Sequence, residues 1–93
     1  MKFDWDTQKA RINKSKHGVT FESVESMFTD PLIFDDLSHS ESEPRYVALG
    51  FDDKGRLLAV AFIRPDLETI RIISARKATK KETGIYATAK KNQ

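Results

Sequence analysis

The 93-residue sequence contains no cysteine and only two histidines, His17 and His39, which lie far apart. The absence of cysteine excludes disulfides, thiolate catalysis and cysteine-based zinc sites. No His-x-x-x-His spacing is present, so we predict neither a metal site nor a cofactor. No apolar run approaches the roughly 20 residues that a membrane-spanning helix needs. The first six residues lack the apolar stretch of a signal peptide. These absences favour a cytoplasmic protein without a membrane segment.

The composition and length predict one soluble globular domain over residues 1–93. Apolar residues make up 39% of the chain and charged residues 32%, a balance typical of folded domains. The net charge is only +2, but residues 1–44 sum to −4 and residues 45–93 to +6. A basic half suggests an anionic partner such as nucleic acid. The alternative is an ordinary solvated surface on which the charges mix in three dimensions.

Two helices are predicted in the first third of the chain. Asp6 can cap a helix that runs to about Lys16, and Gly18 can end it. Thr20 can cap a second helix whose apolar residues recur at helical spacing, and Asp30-Pro31 would end that helix. A short strand over residues 32–34 follows. Residues 35–44 form a polar, acidic loop that is predicted to be mobile and to leave His39 solvated.

The second half of the chain alternates strands and turns before a closing helix. Residues 45–51, 56–63 and 69–75 are predicted strands, and Gly55 supplies a positive φ in the first turn. Thr79-x-x-Glu82 is a capping box that begins the last helix, and a frayed tail is expected over about residues 88–93. The predicted fold class is therefore α+β, with two N-terminal helices, an antiparallel sheet of about four strands and a C-terminal helix.

Several stretches of the chain, taken together, resemble one known family. They are Phe3-x-Trp5-Asp6-x-x-Lys9, Asn13, Lys16-His17-Gly18-Val19, Phe21, Phe28-x-Asp30-Pro31, Glu43-x-Arg45, Gly50, residues 71–79 (RIISARKAT), Glu82 and Tyr86. In this order and spacing, over roughly residues 3–86, the sequence resembles the BrnT toxins of bacterial type II toxin–antitoxin systems.

The resemblance implies a RelE-like microbial ribonuclease architecture and RNA cleavage that stops translation. It also implies a BrnA-type antitoxin, which is a ribbon-helix-helix protein that binds DNA. The toxin would be associated with DNA only through this antitoxin. Toxin and antitoxin would form a heterotetramer of two chains each. A non-catalytic module that acts with its antitoxin in operon repression is the alternative function.

Metal-independent RNA cleavage needs a base for the 2′-OH proton, cations for the phosphorane and an acid for the leaving 5′-oxygen. His17 is the natural group for proton transfer, although it can equally be a cation at a helix C-terminus. Arginines at strand ends can clamp a phosphate, or can simply keep strand edges soluble. Glu82 already has a capping role, and Tyr86 can pack on the sheet or stack on a base. The predicted catalytic residues are His17, Arg64, Arg76 and Glu82; the predicted RNA or phosphate contacts are Lys16, Arg45, Arg71, Lys77 and Tyr86.

Overall fold

A computed structural model describes residues 1–37 and 42–92 and shows an α+β fold built on one five-stranded sheet. In chain order its elements are β1 (Lys2–Trp5), α1 (Thr7–His17), a 3₁₀ helix (Glu22–Thr29), β2 (Leu32–Asp35), β3 (Arg45–Phe51), β4 (Leu57–Ile63), β5 (Thr69–Lys77) and α2 (Lys80–Lys91). Residues 38–41, including His39, lie outside the described residues, so the prediction of a mobile loop is untested there. None of the helices in the described ranges is long and apolar enough to cross a membrane.

The sheet has the strand order β1-β5-β4-β3-β2. Strands β2 to β5 form the predicted antiparallel meander, and the predicted bounds of β3 and β4 agree with the structure to within one residue. The prediction of four strands is incomplete, because β1 adds a fifth at the edge, parallel to β5. The sheet is therefore mixed. β1 was not predicted because it has only four residues, with Phe3 and Trp5 at alternate positions. An alternating pattern this short does not indicate a strand by itself.

The second predicted helix is a 3₁₀ helix rather than an α-helix. The hydroxyl of Ser23 donates to the Thr20 carbonyl at 2.7 Å, and that of Ser26 donates to the Ser23 carbonyl at 2.8 Å. Serine hydroxyls that bond to carbonyls three residues back compete with α-helical bonds and favour the tighter turn. The segment still buries Val24 and Met27, so the apolar stripe predicted from the sequence does face the core.

The main core lies on one face of the sheet, which we call the inner face. It is formed by side chains at alternate strand positions together with the 3₁₀ helix, and includes Phe21, Val24, Met27, Ala48, Leu58, Val60, Phe62, Ile70, Ile72 and Ala75. The opposite face, the outer face, carries the remaining alternate positions, such as Val47, Ala59 and Ala61. Helix α2 approaches this face near the end of β3, where the rings of Tyr86 and Phe51 meet edge to face at 5.6 Å. The rest of the outer face forms an open cleft.

Both ends of α2 are fixed by specific contacts. Thr79 and Glu82 form the predicted capping box. At the other end, the Lys90 ammonium lies 2.8 Å from an Asp30 carboxylate oxygen and donates to the Asp30 carbonyl at 3.0 Å. The structure shows α2 as far as Lys91, with this contact in its last turn, and the frayed tail over about residues 88–93 stays a prediction.

The turn between β3 and β4 contains a buried carboxylate. Asp52 accepts the amides of Lys54 and Arg56 and the Arg56 guanidinium, all within 3.0 Å. Burial raises the pKa of Asp52, but these hydrogen bonds outweigh it and hold the pKa below its ordinary value. Gly55 in the same turn has φ +76°, as predicted.

Candidate functional site

The outer face forms an open cleft of about 370 Å³ between the described residues on either side of β4. Small side chains of β4 make its floor, and charged side chains from neighbouring elements make its walls. The lining residues are Asp36, Arg45, Val47, Ala59, Ala61, Ser74, Arg76 and Glu82. Three predicted site residues, Arg45, Arg76 and Glu82, thus meet at one place, which we call the outer cleft.

A β-bulge in β5 determines which side chains reach the outer cleft. Ala61 pairs with Ser74, whereas the next residue of β4, Phe62, pairs with Ile72, so Ile73 is an extra residue. Because side chains alternate across a strand, one extra residue reverses the faces of every position after it. Ile72 and Ala75 both face the core, and Ser74 and Arg76 face the cleft.

Arg76 is held at the rim of the outer cleft by a two-point ion pair. Its Nη1 and Nη2 donate to the two Glu82 carboxylate oxygens at 2.7 and 2.9 Å. The same carboxylate accepts the Thr79 amide at 2.9 Å, the capping-box bond. Hydrogen bonds from Arg76 lower the pKa of Glu82 to about 2, aided by the Thr79 amide and against the effect of burial. Glu82 in turn raises the pKa of Arg76.

This ion pair predicts a pH-dependent stability. The folded-state pKa of Glu82 lies below its ordinary value of 4.5, so its contribution is complete above about pH 4.5 and is lost as pH falls towards 2. Arg76 is 41% exposed, so solvent screens the ion pair. We therefore expect the pair to contribute about 2 kcal/mol to the free energy of unfolding. Urea unfolding of the wild type and Glu82→Gln should differ by this amount at pH 7 and converge near pH 2. A difference that is constant with pH would contradict the assignment.

Arg45 lies on the opposite wall of the outer cleft, at the start of β3. Its Nε is buried and has no hydrogen-bond partner in the part of the chain that the structure describes. A buried donor without a partner costs about 1–3 kcal/mol. A ligand with acceptor oxygens in the cleft would relieve this cost.

A second pocket, of about 190 Å³, lies beside the outer cleft between α1 and β5. It is lined by Lys9, Ile12, Asn13, Lys16, His17, Ile73 and Ser74. Ser74 lines both pockets, so they are neighbours on the same side of β5. We call the second one the α1 pocket. It brings two more predicted residues, His17 and Lys16, next to the cleft.

Asn13 positions the α1 pocket, a role that was not predicted from the sequence. Beyond the end of β1, no strand of the described residues pairs with this edge of β5. The Asn13 side-chain amide bonds to this edge instead: it accepts the Ala75 amide at 3.0 Å and donates to the Ala75 carbonyl at 2.8 Å. It also donates to the Val19 carbonyl at 2.9 Å. A polar residue in a polar helix gives no sign of this burial, and only its place in the family pattern pointed to it.

Four predicted residues lie away from the outer cleft. Arg64 was predicted to be catalytic together with Arg76, but alternation along β4 puts it on the side of Phe62, where it lines a groove on the inner face and donates to the Leu67 carbonyl. Arg71 pairs with Asp4. Lys77 is paired with Leu58, an inner-face position. Tyr86 packs between Phe51 and Lys90, which agrees with its packing interpretation.

The described residues include no group of three or more histidine, aspartate or glutamate side chains placed to hold a metal ion. The charged side chains that line the outer cleft are Arg45, Arg76, Glu82 and Asp36. The guanidinium groups of Arg45 and Arg76 can bind a phosphate, and the Glu82 carboxylate holds that of Arg76. A histidine stands in the adjoining pocket.

Comparison with known proteins agrees with this architecture. A family model described as "Ribonuclease toxin, BrnT, of type II toxin-antitoxin system" matches residues 5–82. The crystal structure of the Brucella abortus ribonuclease toxin BrnT is similar, with a TM-score of 0.68 and 28% sequence identity, over 86% of this chain and 99% of that chain. No curated protein sequence matches. The chain belongs to the BrnT family of ribonuclease toxins of type II toxin–antitoxin systems.

Proposed function

We propose that this protein is an endoribonuclease that cleaves RNA in the outer cleft without a metal ion and thereby inhibits translation. The observation that carries the proposal is the convergence of Arg45 and Arg76 on one open cleft, with no hydrogen-bond partner for the buried Nε of Arg45 among the described residues. Guanidinium groups are well suited to phosphate because they are planar, always charged and rich in donors.

The proposed reaction is an internal displacement at phosphorus. The ribose 2′-oxygen loses its proton and attacks the phosphorus atom, and the bond to the 5′-oxygen breaks as that oxygen takes up a proton. The products are a 2′,3′-cyclic phosphate and a 5′-hydroxyl. Arg45 and Arg76 stabilise the extra negative charge of the phosphorane, as fixed positive groups do in other sites.

His17 is our candidate for proton transfer, because an imidazole can both accept and donate a proton and His17 lines the pocket that shares Ser74 with the cleft. Glu82, which the sequence also offers as a base, is better assigned to positioning. A carboxylate with a pKa of about 2 is a weak base at neutral pH. Its contribution is to hold the guanidinium of Arg76 at the rim of the cleft.

Membership of a type II system implies an antitoxin partner. We propose a BrnA-type antitoxin that forms a heterotetramer of two toxin and two antitoxin chains in the cytoplasm. An acidic antitoxin segment would suit the cations of the outer cleft. The apolar groove of about 250 Å³ on the inner face, which includes Ile33 and Tyr46, is a second surface for it to cover.

The alternative, a non-catalytic module that acts with its antitoxin, draws support from the same ion pair. Glu82 already binds Arg76 through two hydrogen bonds. Because donors that bond to Glu82 are not free to bond to a phosphate, the cleft would bind phosphate more weakly. A direct assay of cleavage separates the two functions.

The experiment incubates the purified protein with a single-stranded RNA in the presence of EDTA. We expect cleavage that survives chelation and leaves 2′,3′-cyclic phosphate ends, together with growth arrest when the protein is expressed alone. An RNA carrying 2′-O-methyl riboses is the control and should remain intact, because it has no 2′-hydroxyl to attack. Cleavage abolished by EDTA would contradict the metal-independent mechanism. No cleavage by a folded protein would favour the binding module.

A further inference from the structure

Helix α1 is the most one-sidedly charged element of the described chain. It carries four lysines and arginines, Lys9, Arg11, Lys14 and Lys16, and no aspartate or glutamate. The ion pairs found in the described residues are Arg56–Asp52, Arg71–Asp4, Arg76–Glu82 and Lys90–Asp30. None of them involves α1.

The second half of the chain carries the net positive charge, yet four of its eleven lysines and arginines are bound to close carboxylates. The acidic first half contains helix α1, whose four cations are exposed and have no ion-pair partner within residues 1–37 and 42–92. An approaching polyanion is attracted chiefly by such unpaired charge. Among the described elements, α1 therefore carries the most exposed cations without an ion-pair partner.

One face of α1 also borders the outer cleft. Lys9 and Lys16 line the α1 pocket together with Ile12, whose side chain is 58% exposed. Lys9 and Lys16 are seven residues apart, about 10 Å along the helix axis. Ser74 joins this pocket to the outer cleft.

We propose that the face of α1 formed by Lys9, Ile12 and Lys16 binds the single-stranded RNA flanking the scissile phosphate. The two lysines contact backbone phosphates on one side of the bond to be cut, and Ile12 packs against a ribose or base. This inference rests on the proposed ribonuclease function, because it assumes that the outer cleft holds the scissile phosphate.

A protein partner on this face is less well supported. Protein interfaces are depleted of lysine at their centres and need a buried apolar patch, whereas α1 offers chiefly Ile12. Binding through phosphates needs only positioned cations, and its salt dependence reports how many are used.

The test compares two double variants that remove the same charge from the same helix. Lys9→Gln with Lys16→Gln empties the proposed surface, and Arg11→Gln with Lys14→Gln removes two exposed cations that do not line the α1 pocket. The probe is a fluorescent single-stranded oligonucleotide of 2′-O-methyl riboses, which cannot be cleaved. Its anisotropy is measured at several salt concentrations, and circular dichroism confirms that each variant is folded.

For Lys9→Gln with Lys16→Gln we expect the slope of log affinity against log salt to become shallower by about 1.4, since each phosphate contact of a single strand contributes about 0.7. The matched variant should change the slope by much less. Equal changes in the two variants would overturn the proposal, as would an unchanged slope for Lys9→Gln with Lys16→Gln. Because the probe is uncleavable, binding that behaves as expected without cleavage of ordinary RNA would refute the ribonuclease proposal alone.

Discussion

Replacing Arg76 by alanine is expected to lower kcat/KM for RNA cleavage by about 100-fold or more. Removing one donor to a developing negative charge typically costs two to three orders of magnitude. Arg76 faces the outer cleft beyond the β-bulge, and its guanidinium is the one that Glu82 fixes in place. The measurement is steady-state cleavage of a short RNA oligonucleotide by the purified variant.

Arg71→Ala is the matched control for this experiment. Arg71 lies on the same strand and is also bound to a carboxylate, that of Asp4, but it does not line the outer cleft. The control should keep activity within a few-fold of wild type. Arg76→Lys keeps the charge without the planar fork, so it should fall between wild type and alanine. Equal losses for Arg71→Ala and Arg76→Ala would show that the cleft has no special role.

Replacing Asn13 by alanine is expected to lower the free energy of unfolding by about 3 kcal/mol. The substitution leaves the Ala75 amide and the Ala75 and Val19 carbonyls, which Asn13 now satisfies, without their partner. Each buried polar group left unpaired costs about 1–3 kcal/mol, and partial access of water reduces the total. Urea unfolding monitored by circular dichroism measures the change.

Two further variants distinguish the loss of the Asn13 hydrogen bonds from the general effect of a substitution in α1. Lys14→Ala, an exposed change at the next residue, should alter stability by less than about 0.5 kcal/mol. Asn13→Asp keeps the acceptor for the Ala75 amide but loses both donors and buries a charge, so it should be at least as damaging as alanine. A mild effect of Asn13→Asp would show that the donor bonds contribute little.

The elements that the sequence predicted well are those specified by local chemistry. The capping box at Thr79, the stop at Gly18 and the alternation along β3 all depend on neighbours a few residues away. β1 was missed because its strand character comes from pairing with β5, some 67 residues later in the chain. The 3₁₀ helix has the apolar spacing of an α-helix, and only the serine hydroxyls distinguish it.

The candidate site could be predicted only in part, because its geometry depends on long-range pairing as well as on local sequence. Three of the residues singled out from the sequence, Arg45, Arg76 and Glu82, line the outer cleft, and Arg64 does not, because alternation along β4 carries it to the inner face. Their roles remain predictions. The bulge at Ile73 has no sequence signature, yet it decides that Arg76 points into the outer cleft. The unpaired charge of α1 became visible only after the ion pairs of the second half were known.

The double use of the Glu82 carboxylate links catalysis to the integrity of α2. The carboxylate binds Arg76 and also caps the first turn of the helix. A phosphate that draws Arg76 towards itself therefore weakens one of the contacts that orient the capping group. Since such coupling is reciprocal in free energy, loosening of the α2 N-terminus releases Arg76 for ligand, and occupancy of the cleft changes how readily that turn opens.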